Sequence, residues 1–204
     1  MMPGKYIAIS GNIGSGKSSL TDFLCRHFGI RPFYEPNEDN PYLADFYKDM
    51  KKWAFHSQIF FLTHKFRLHQ ELEKCKETVV QDRTIYEDAE IFAVNLYRSG
   101  YIGKREFDLY WTLYKTILNS LRPPDLMIYC DCSLRTLKKR IAKRGRAMER
   151  NIPPDYLKKL DRLYKRWIKN YRLSPVILVS TDKYDYMDDF ITRADIMKKI
   201  ERYL

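Results

Sequence analysis

The segment GNIGSGKS, which runs from Gly11 to Ser18, has the residue types and spacing of a phosphate-binding loop. It follows a short apolar run, YIAIS, and precedes apolar residues at helical spacing. Backbone N–H groups of such a turn point at phosphate oxygens, and the helix N-terminus adds partial positive charge. We therefore expect Lys17 to contact the β- and γ-phosphates of a nucleoside triphosphate, and the Ser18 hydroxyl to ligate Mg²⁺. The residues expected at the phosphates are Gly11, Asn12, Ile13, Gly14, Ser15, Gly16, Lys17, Ser18 and Ser19.

Two further segments carry charged residues at the ends of predicted strands. The second strand ends in Glu35-Pro36 and the third in Asp82-Arg83. Ligands of open parallel sheets lie outside the carboxyl ends of the strands, so both pairs are expected at the crevice of the phosphate loop. There a carboxylate can take a proton from an attacking hydroxyl or order the waters of Mg²⁺, and an arginine can hold a phosphoryl group. Alone each pair is weak evidence, because Glu35 could lie at the surface and Asp82-Arg83 could be an ion pair that starts a helix.

The elements that must position these residues are predicted by alternating apolar runs and helical patterns. Strands are predicted at 6–10, 30–35, 78–82, 125–132 and 175–180, and helices at 53–74, 87–98, 105–121, 133–144 and 155–171. A further helix follows the phosphate loop, and another reaches the C-terminus. Such alternation is typical of βαβ units. It predicts an α/β fold with a five-stranded parallel sheet, helices on both faces and one domain spanning 1–204.

Composition narrows the class of protein. The chain of 204 residues has no run near the ~20 apolar residues of a membrane span, and we expect no signal peptide and no membrane partner. Its four cysteines form no CxxC pair, which favours small buried side chains in a reducing compartment. The net charge of +11 invites a nucleic-acid partner, but much of the excess lies in helical stretches between Arg135 and Arg172. We interpret it as a solvated helix face with a few arginines that meet a polyphosphate, and expect no nucleic-acid partner.

Five segments together resemble the deoxynucleoside kinase family. They are GNIGSGKSS, YEPNEDNPYL, KKWAFHSQIFFL, VQDRTIYEDAEIFA and KRIAKRGRAMER, and the bacterial deoxyadenosine and deoxycytidine kinases are the nearest branch. The resemblance implies a P-loop kinase fold with an arginine-rich lid at about 144–153. It implies transfer of the γ-phosphate of ATP, with Mg²⁺, to the 5′-hydroxyl of a deoxynucleoside in nucleotide salvage. It further implies a cytoplasmic homodimer whose partners are small molecules.

The resemblance assigns a role to each matching residue. Glu35 is implied as the general base, Arg83 as the group that holds this carboxylate and the phosphoryl group, and Asp82 as a contact of the Mg²⁺ water shell. Gln58 is implied to read the nucleobase with its amide. The remaining matches are Tyr47 and Glu149 on the sugar 3′-hydroxyl, Phe92 stacked on the base, Lys65 and Asp88 beside the base, and Arg140, Arg144 and Arg146 closing on the phosphates.

The base preference is left open by Lys65. Cytidine- and purine-using members carry an arginine at this position, and lysine lacks its planar fork. We expect deoxyadenosine first, then deoxycytidine and deoxyguanosine, and thymidine last. The segment 182–189 is expected to contact the adenine of the donor. A homodimer interface is expected on the helices at 87–98 and 105–121, with Phe107, Tyr110, Trp111 and Tyr114.

Two other functions remain open from the sequence. A thymidylate-type monophosphate kinase also carries an EP pair, a DR pair and an arginine lid, but its EP is typically followed by glycines rather than NEDNPYL. A basic nucleic-acid-binding protein with a degenerate nucleotide site is the second alternative. It would bind oligonucleotides tightly and with strong salt dependence.

Overall fold

A parallel sheet of five strands lies at the centre of the computed structural model, which describes residues 4–34, 39–146, 149, 152–182 and 190–204. The strands are β1 (Tyr6–Ser10), β2 (Arg31–Phe33), β3 (Val79–Asp82), β4 (Leu126–Asp131) and β5 (Val176–Ser180). Their order is β2-β3-β1-β4-β5, and every neighbouring pair is parallel. The chain therefore passes from β3 to the far side of β1, which makes the end of β1 the switch point where such sheets bind ligands.

The central strand shows why this sheet is covered on both faces. All five residues of β1 are buried, as expected of a strand inside a parallel sheet. Ile7 and Ile9 join one apolar cluster with residues of the first and last helices, whereas Tyr6 and Ala8 join another on the opposite face. The alternation follows from the two-residue period of a strand. The α/β prediction is confirmed.

The helices bring the candidate residues to the carboxyl edge of the sheet. The described helices are α1 (Lys17–Phe28), α2 (Leu43–Lys48), α3 (Met50–Glu73), α4 (Ile85–Glu87), a π-helical segment (Asp88–Ala93), α5 (Val94–Arg98), α6 (Lys104–Leu118), α7 (Leu134–Arg144), α8 (Pro154–Asn170) and α9 (Phe190–Glu201).

Several boundaries differ from those predicted, for local reasons. The helix predicted from 53 begins at Met50, because the Asp49 side chain accepts the Lys52 N–H and caps it. The helix predicted from 87 begins at Ile85, because Thr84 and Glu87 form a capping box. Strand β2 ends at Phe33, two residues earlier than predicted.

The aromatic residues of α6 divide between core and surface. Tyr110 and Tyr114 are fully buried, so the expectation that they lie at a dimer interface is wrong: they pack inside the protein. The exposed apolar side chains of this region are instead Tyr97, Leu109 and Leu113.

All four cysteines are free, and Cys130 and Cys132 are buried. Burial raises the pKa of the Cys130 thiol to about 12. Among the helices of the described residues, none combines the length and apolar character needed to cross a membrane.

Candidate active site

The turn after β1 has the backbone form of an anion-binding loop. Gly11, Gly14 and Gly16 all have positive φ, and Gly16 immediately precedes α1. A Cβ on Gly11 would lie 2.5 Å from the Ser15 Oγ and 2.9 Å from the Cys130 carbonyl oxygen, so only glycine fits there. Lys17 starts α1 with its side chain buried, and its Nζ donates to the Asn12 carbonyl at 3.2 Å. The first-turn N–H groups of α1 and one ammonium thus converge on the turn.

Ser18 and Asp82 meet beside this turn. The Ser18 Oγ donates to Asp82 Oδ2 at 2.6 Å, and Asp82 is buried. The parallel pairing of β1 with β3 sets Asp82 opposite Ile9, which brings the end of β3 to the loop. The second oxygen, Oδ1, is buried and has no hydrogen-bond partner among the residues the structure describes. A hydroxyl and an orphaned carboxylate oxygen at this spacing are the oxygen ligands that Mg²⁺ prefers, so the residues present fit that ion.

Arg83 occupies an unusual backbone position between the loop and a neighbouring cavity. It has φ 62°, and it is the one non-glycine residue with positive φ in the described parts of the chain. Its N–H donates to the Ile9 carbonyl at 2.9 Å, and its Nη2 donates to the Gly11 carbonyl at 3.3 Å. The guanidinium carbon lies 4.6 Å from the centroid of the Phe92 ring, which is a cation–π contact. Conformations of this kind persist where surrounding contacts fix them, and they cluster at functional sites.

A cavity of about 740 Å³, including its open mouth, adjoins Arg83. Gln58 from α3 lines it, and its Oε1 is buried with no hydrogen-bond partner among the described residues. Such an amide oxygen is poised to accept from a ligand, because a buried polar group without a partner is costly. The expected substrate residues that line this cavity are Tyr47, Gln58, Arg83, Asp88, Phe92 and Glu149.

Lys65 departs from its expected place beside the base. It is fully buried and does not line the cavity. Its Nζ donates instead to the backbone carbonyls of Asp82 and Arg83. A compact ammonium with three donors suits two carbonyl oxygens, whereas a planar guanidinium matches them poorly. The structure thus places Lys65 under the end of β3.

Some residues with expected roles lie outside the described residues. They are Glu35 and Pro36, residues 147, 148, 150 and 151 of the expected lid, and residues 183–189 of the segment expected to contact the adenine. Of the neighbouring residues, Tyr34 is exposed and its hydroxyl donates to Asp22. Asp182 lines a second cleft, described next.

The second cleft, of about 1360 Å³ including its open mouth, also adjoins the phosphate loop and is strongly basic. Among the described residues, its lining includes one carboxylate, Asp182, and six basic side chains: Lys17, Lys139, Arg140, Lys143, Arg144 and Arg146. This cleft accounts for part of the positive charge noted in the sequence. Its size and charge suit a polyphosphate.

The arginines expected in the lid are paired within the protein. Arg144 makes a two-pronged contact with Glu149, at 2.6 to 3.1 Å, and Arg146 lies 3.6 Å from the same carboxylate. Arg140 donates to the Thr181 carbonyl at 2.6 Å and so ties α7 to the end of β5. Glu149 therefore joins the lid to the cavity that Tyr47 and Gln58 line.

A family model described as deoxynucleoside kinase matches residues 7–204. The chain belongs to the deoxynucleoside kinase family. Its activity is accordingly the ATP-dependent phosphorylation of deoxynucleosides, and the monophosphate-kinase and nucleic-acid alternatives are set aside.

Curated relatives of this deoxynucleoside kinase cover nearly the full chain. It is 38% identical to a deoxyadenosine kinase of Lactobacillus acidophilus, over 98% of this chain and 96% of that protein. It is 39% identical to a deoxyguanosine kinase of the same organism, over 95% of this chain and 88% of that protein. A deoxyadenosine/deoxycytidine kinase of Bacillus subtilis is 33% identical over 95% of this chain and 90% of that protein.

Solved structures give the same assignment. This deoxynucleoside kinase superposes with a TM-score of 0.86, at 31% identity, on a deoxyadenosine kinase from M. mycoides with bound dATP, covering 96% of this chain and 99% of that chain. A structure of the same kinase with dCMP and a flexible dCDP matches with a TM-score of 0.87, at 31% identity, covering 97% and 99% of the two chains. The P-loop kinase fold implied by the resemblance is thereby confirmed.

Sequence reasoning missed several residues around the site of this deoxynucleoside kinase. Phe46, Phe61 and Tyr156 also line the cavity beside Arg83, and they carry no signal beyond apolar spacing. Glu87 was readable, because Thr84-x-x-Glu87 has the spacing of a capping box. Its other hydrogen-bond donors, the Gly11 N–H and the Tyr164 hydroxyl, come from segments distant in the chain, and no local pattern could show them.

Proposed function

We propose that this deoxynucleoside kinase transfers the γ-phosphate of ATP to the 5′-hydroxyl of deoxyadenosine in preference to other deoxynucleosides. Deoxycytidine and deoxyguanosine follow, and thymidine is last. The observation that carries the reaction is the position of Arg83, which lines the nucleoside-side cavity and also donates to the first glycine of the phosphate loop. A phosphoryl group passing between the two sites would cross in front of this guanidinium.

The acceptor is proposed to lie in the cavity beside Arg83. Gln58 offers a buried amide to a base edge, since an amide both donates and accepts. Phe92 supplies an aromatic face, and Tyr47 and Glu149 line the same cavity, as a sugar hydroxyl requires. The order of bases rests on the relatives named for deoxyadenosine and deoxycytidine, and on the M. mycoides kinase that binds dATP and dCMP. The similar identity to a deoxyguanosine kinase supports deoxyguanosine as a further substrate.

The chemical step needs positioning and neutralisation of charge more than covalent help. The transition state of phosphoryl transfer is loose, with negative charge on the transferring oxygens. Lys17 and Arg83 are proposed to hold these oxygens from the loop side and the cavity side. Glu35 is proposed to take the proton of the 5′-hydroxyl, on the strength of the family resemblance and of its position in the sequence, two residues after the end of β2.

Ser18 and Asp82 are the residues proposed to hold Mg²⁺. When bound there, the ion neutralises phosphate charge and orients the triphosphate. The contact between the Ser18 hydroxyl and Asp82, and the orphaned second oxygen of Asp82, support this assignment.

The lid is proposed to exchange its partners during the cycle. Arg144 and Arg146 lie at both clefts and pair with Glu149. A triphosphate in the basic cleft would compete with that carboxylate for the two guanidinium groups, which would leave Glu149 available to the sugar. Closure of this kind excludes water and limits hydrolysis of ATP.

We also propose that two copies of the chain associate in the cytoplasm. Tyr97, Leu109 and Leu113 are exposed apolar side chains, and the two leucines lie one turn apart on α6. Exposed apolar patches mark interaction sites. A two-fold pairing would cover them in both copies. Four free cysteines suit a reducing compartment.

The experiment that tests the proposed preference is a steady-state panel of the four deoxynucleosides with ATP and Mg²⁺. We expect kcat/KM to be highest for deoxyadenosine and lowest for thymidine. A panel in which thymidine leads would overturn the assignment of the acceptor site.

A further inference from the structure

Glu87 is a fully buried carboxylate beside the active site that belongs to neither cleft. Burying a charged carboxylate costs several kcal/mol unless it is paired and hydrogen-bonded. The side chain must therefore be held by strong partners. The identity of those partners indicates what it does.

One carboxylate oxygen is explained by local structure. Oε2 accepts the Thr84 N–H at 2.9 Å and the Thr84 hydroxyl at 3.2 Å, which is the capping box at the start of α4. A capping role needs no more than this oxygen. It also needs no burial, because Glu106 accepts the N–H of Gly103, three residues before it, at the exposed start of α6.

The other oxygen accepts from two segments that are distant in the chain, and it also faces the Arg83 guanidinium. Oε1 accepts the Gly11 N–H at 3.3 Å and the Tyr164 hydroxyl at 3.0 Å, and it lies 4.0 Å from the Arg83 Nε. These atoms belong to the first glycine of the phosphate loop, to α8 and to the guanidinium at the end of β3. The capping box accounts for none of them.

Arg83 and Gly11 are also joined to each other. The Arg83 Nη2 donates to the Gly11 carbonyl, and the N–H of Gly11 donates to the Glu87 carboxylate. The contacts form a closed triangle of Gly11, Arg83 and Glu87. A triangle of this kind fixes the direction of the guanidinium relative to the loop, and Phe92 covers one face of it.

We propose that Glu87 is a positioning residue that fixes Arg83 against the phosphate loop through its Oε1. It acts on the transition state through Arg83 and touches neither nucleoside nor ATP. Its loss therefore lowers kcat and leaves the KM for the deoxynucleoside nearly unchanged. This inference rests on the proposed role of Arg83 in phosphoryl transfer.

The test compares Glu87→Gln with a matched control, Tyr164→Phe. The first removes the charge and keeps the shape of the side chain, whereas the second removes one donor to the same oxygen and keeps the pair with Arg83. We expect Glu87→Gln to lower kcat by about 10-fold or more with the KM for deoxyadenosine within about 3-fold, and Tyr164→Phe to stay within about 3-fold in both. If kcat falls equally in the two variants, in step with their thermal unfolding temperatures, Glu87 is only structural and the inference fails.

A double-mutant cycle locates the effect at Arg83. In an Arg83→Lys background we expect Glu87→Gln to cost clearly less kcat than in the wild type, because residues that act through one another are not additive. An equal loss in both backgrounds overturns the inference. Should Glu87→Gln fail to fold, Glu87→Asp decides: it keeps the charge one methylene farther from Arg83, and an unchanged kcat contradicts the proposal. A wild type that turns over no deoxynucleoside contradicts the proposed function, whereas an active wild type with unaffected variants contradicts this inference alone.

Discussion

At the scale of single residues, hydrogen bonds from neighbouring groups stabilise the left-handed backbone conformation of Arg83. Such a conformation costs an L-residue roughly 1–2 kcal/mol. The Arg83 N–H donates to Ile9, and Lys65 donates to the carbonyls of Asp82 and Arg83. These contacts hold the turn at the end of β3 so that the side chain faces the loop. We infer that a lysine at position 65 serves this turn and leaves the base edge to Gln58.

Gln58 gives a prediction in which stability and substrate binding move in opposite directions. Gln58→Leu keeps the volume and removes a buried oxygen without a partner. We expect the thermal unfolding temperature to stay the same or rise, and the KM for deoxyadenosine to rise by about 10-fold or more, since one lost hydrogen bond to a ligand is worth ~1–3 kcal/mol.

Steady-state kinetics and thermal unfolding of Gln58→Leu check both expectations. Gln70→Leu, at an exposed position of the same helix, is the control and should change neither quantity. A Gln58→Leu variant with a wild-type KM would remove Gln58 from the recognition of the base.

Glu35 gives a prediction about chemistry rather than binding. Glu35→Gln preserves the shape of the side chain and removes the base. We expect kcat to fall by ~10²-fold or more, in line with contributions of general bases. The dissociation constant for ATP, measured by calorimetry, should stay close to that of the wild type. An unchanged kcat eliminates Glu35 as the base.

At the scale of elements, α7 is anchored by Asp182. This carboxylate accepts the Ser133 N–H at 2.9 Å and the Ser133 hydroxyl at 2.7 Å, at the first turn of α7. The Ser133 hydroxyl, followed by Thr136, lowers the pKa of Asp182 to about 2. Asp182 and Arg140 together hold α7, the helix that carries the arginines, against the end of β5.

The sign of the pKa shift of Asp182 predicts a pH dependence. A carboxyl whose pKa is lower in the folded state contributes stability above its ordinary pKa of ~3.9, and this is lost as the pH falls through about 2. The difference in unfolding temperature between wild type and Asp182→Asn should therefore be constant from pH 5 to 8 and shrink in more acidic solution. Thermal scans from about pH 2 to pH 8 check it, and a difference that changes between pH 6 and 8 would assign the effect to another group.

Some elements could be predicted from the sequence alone, and others could not. The phosphate loop and β1 were predictable because glycine spacing and a short apolar run are local signals. The π-helical segment that carries Asp88 and Phe92 was predicted as ordinary helix, because apolar periodicity does not reveal a change in hydrogen-bond pattern. Lys65 lies on α3 as predicted, but its ammonium donates to backbone carbonyls at the end of β3. These partners depend on tertiary packing, which a single sequence does not show.

At the scale of the whole molecule, the exposed apolar residues near α6 predict association. We expect light scattering to give a mass about twice the 24.6 kDa of one chain. Leu109 and Leu113 are exposed, so replacing both with Glu should shift the protein to a monomer without loss of folding. The exposed lysines Lys51 and Lys52, replaced by Glu on α3, give a control for added negative charge. A monomeric wild type contradicts the dimer.

The order of the strands in the sheet could not be predicted from the sequence either. Five strands and their parallel direction follow from apolar runs between helical patterns, but the order β2-β3-β1-β4-β5 depends on which edges pair. That order sets the end of β3 beside the phosphate loop and makes Asp82 and Arg83 part of one site. Two clefts adjoin this loop, one lined by lysines and arginines of α7 and one that includes Gln58 and Phe92.

The central claim is that the loop and the cavity together phosphorylate the 5′-hydroxyl of a deoxynucleoside. The most direct test supplies ATP and Mg²⁺ with either deoxyadenosine or deoxythymidine monophosphate and identifies the product by phosphorus NMR. We predict a 5′-monophosphate of deoxyadenosine and negligible turnover of the nucleotide. Turnover of deoxythymidine monophosphate alone, or a phosphate on the 3′-oxygen, would contradict the account.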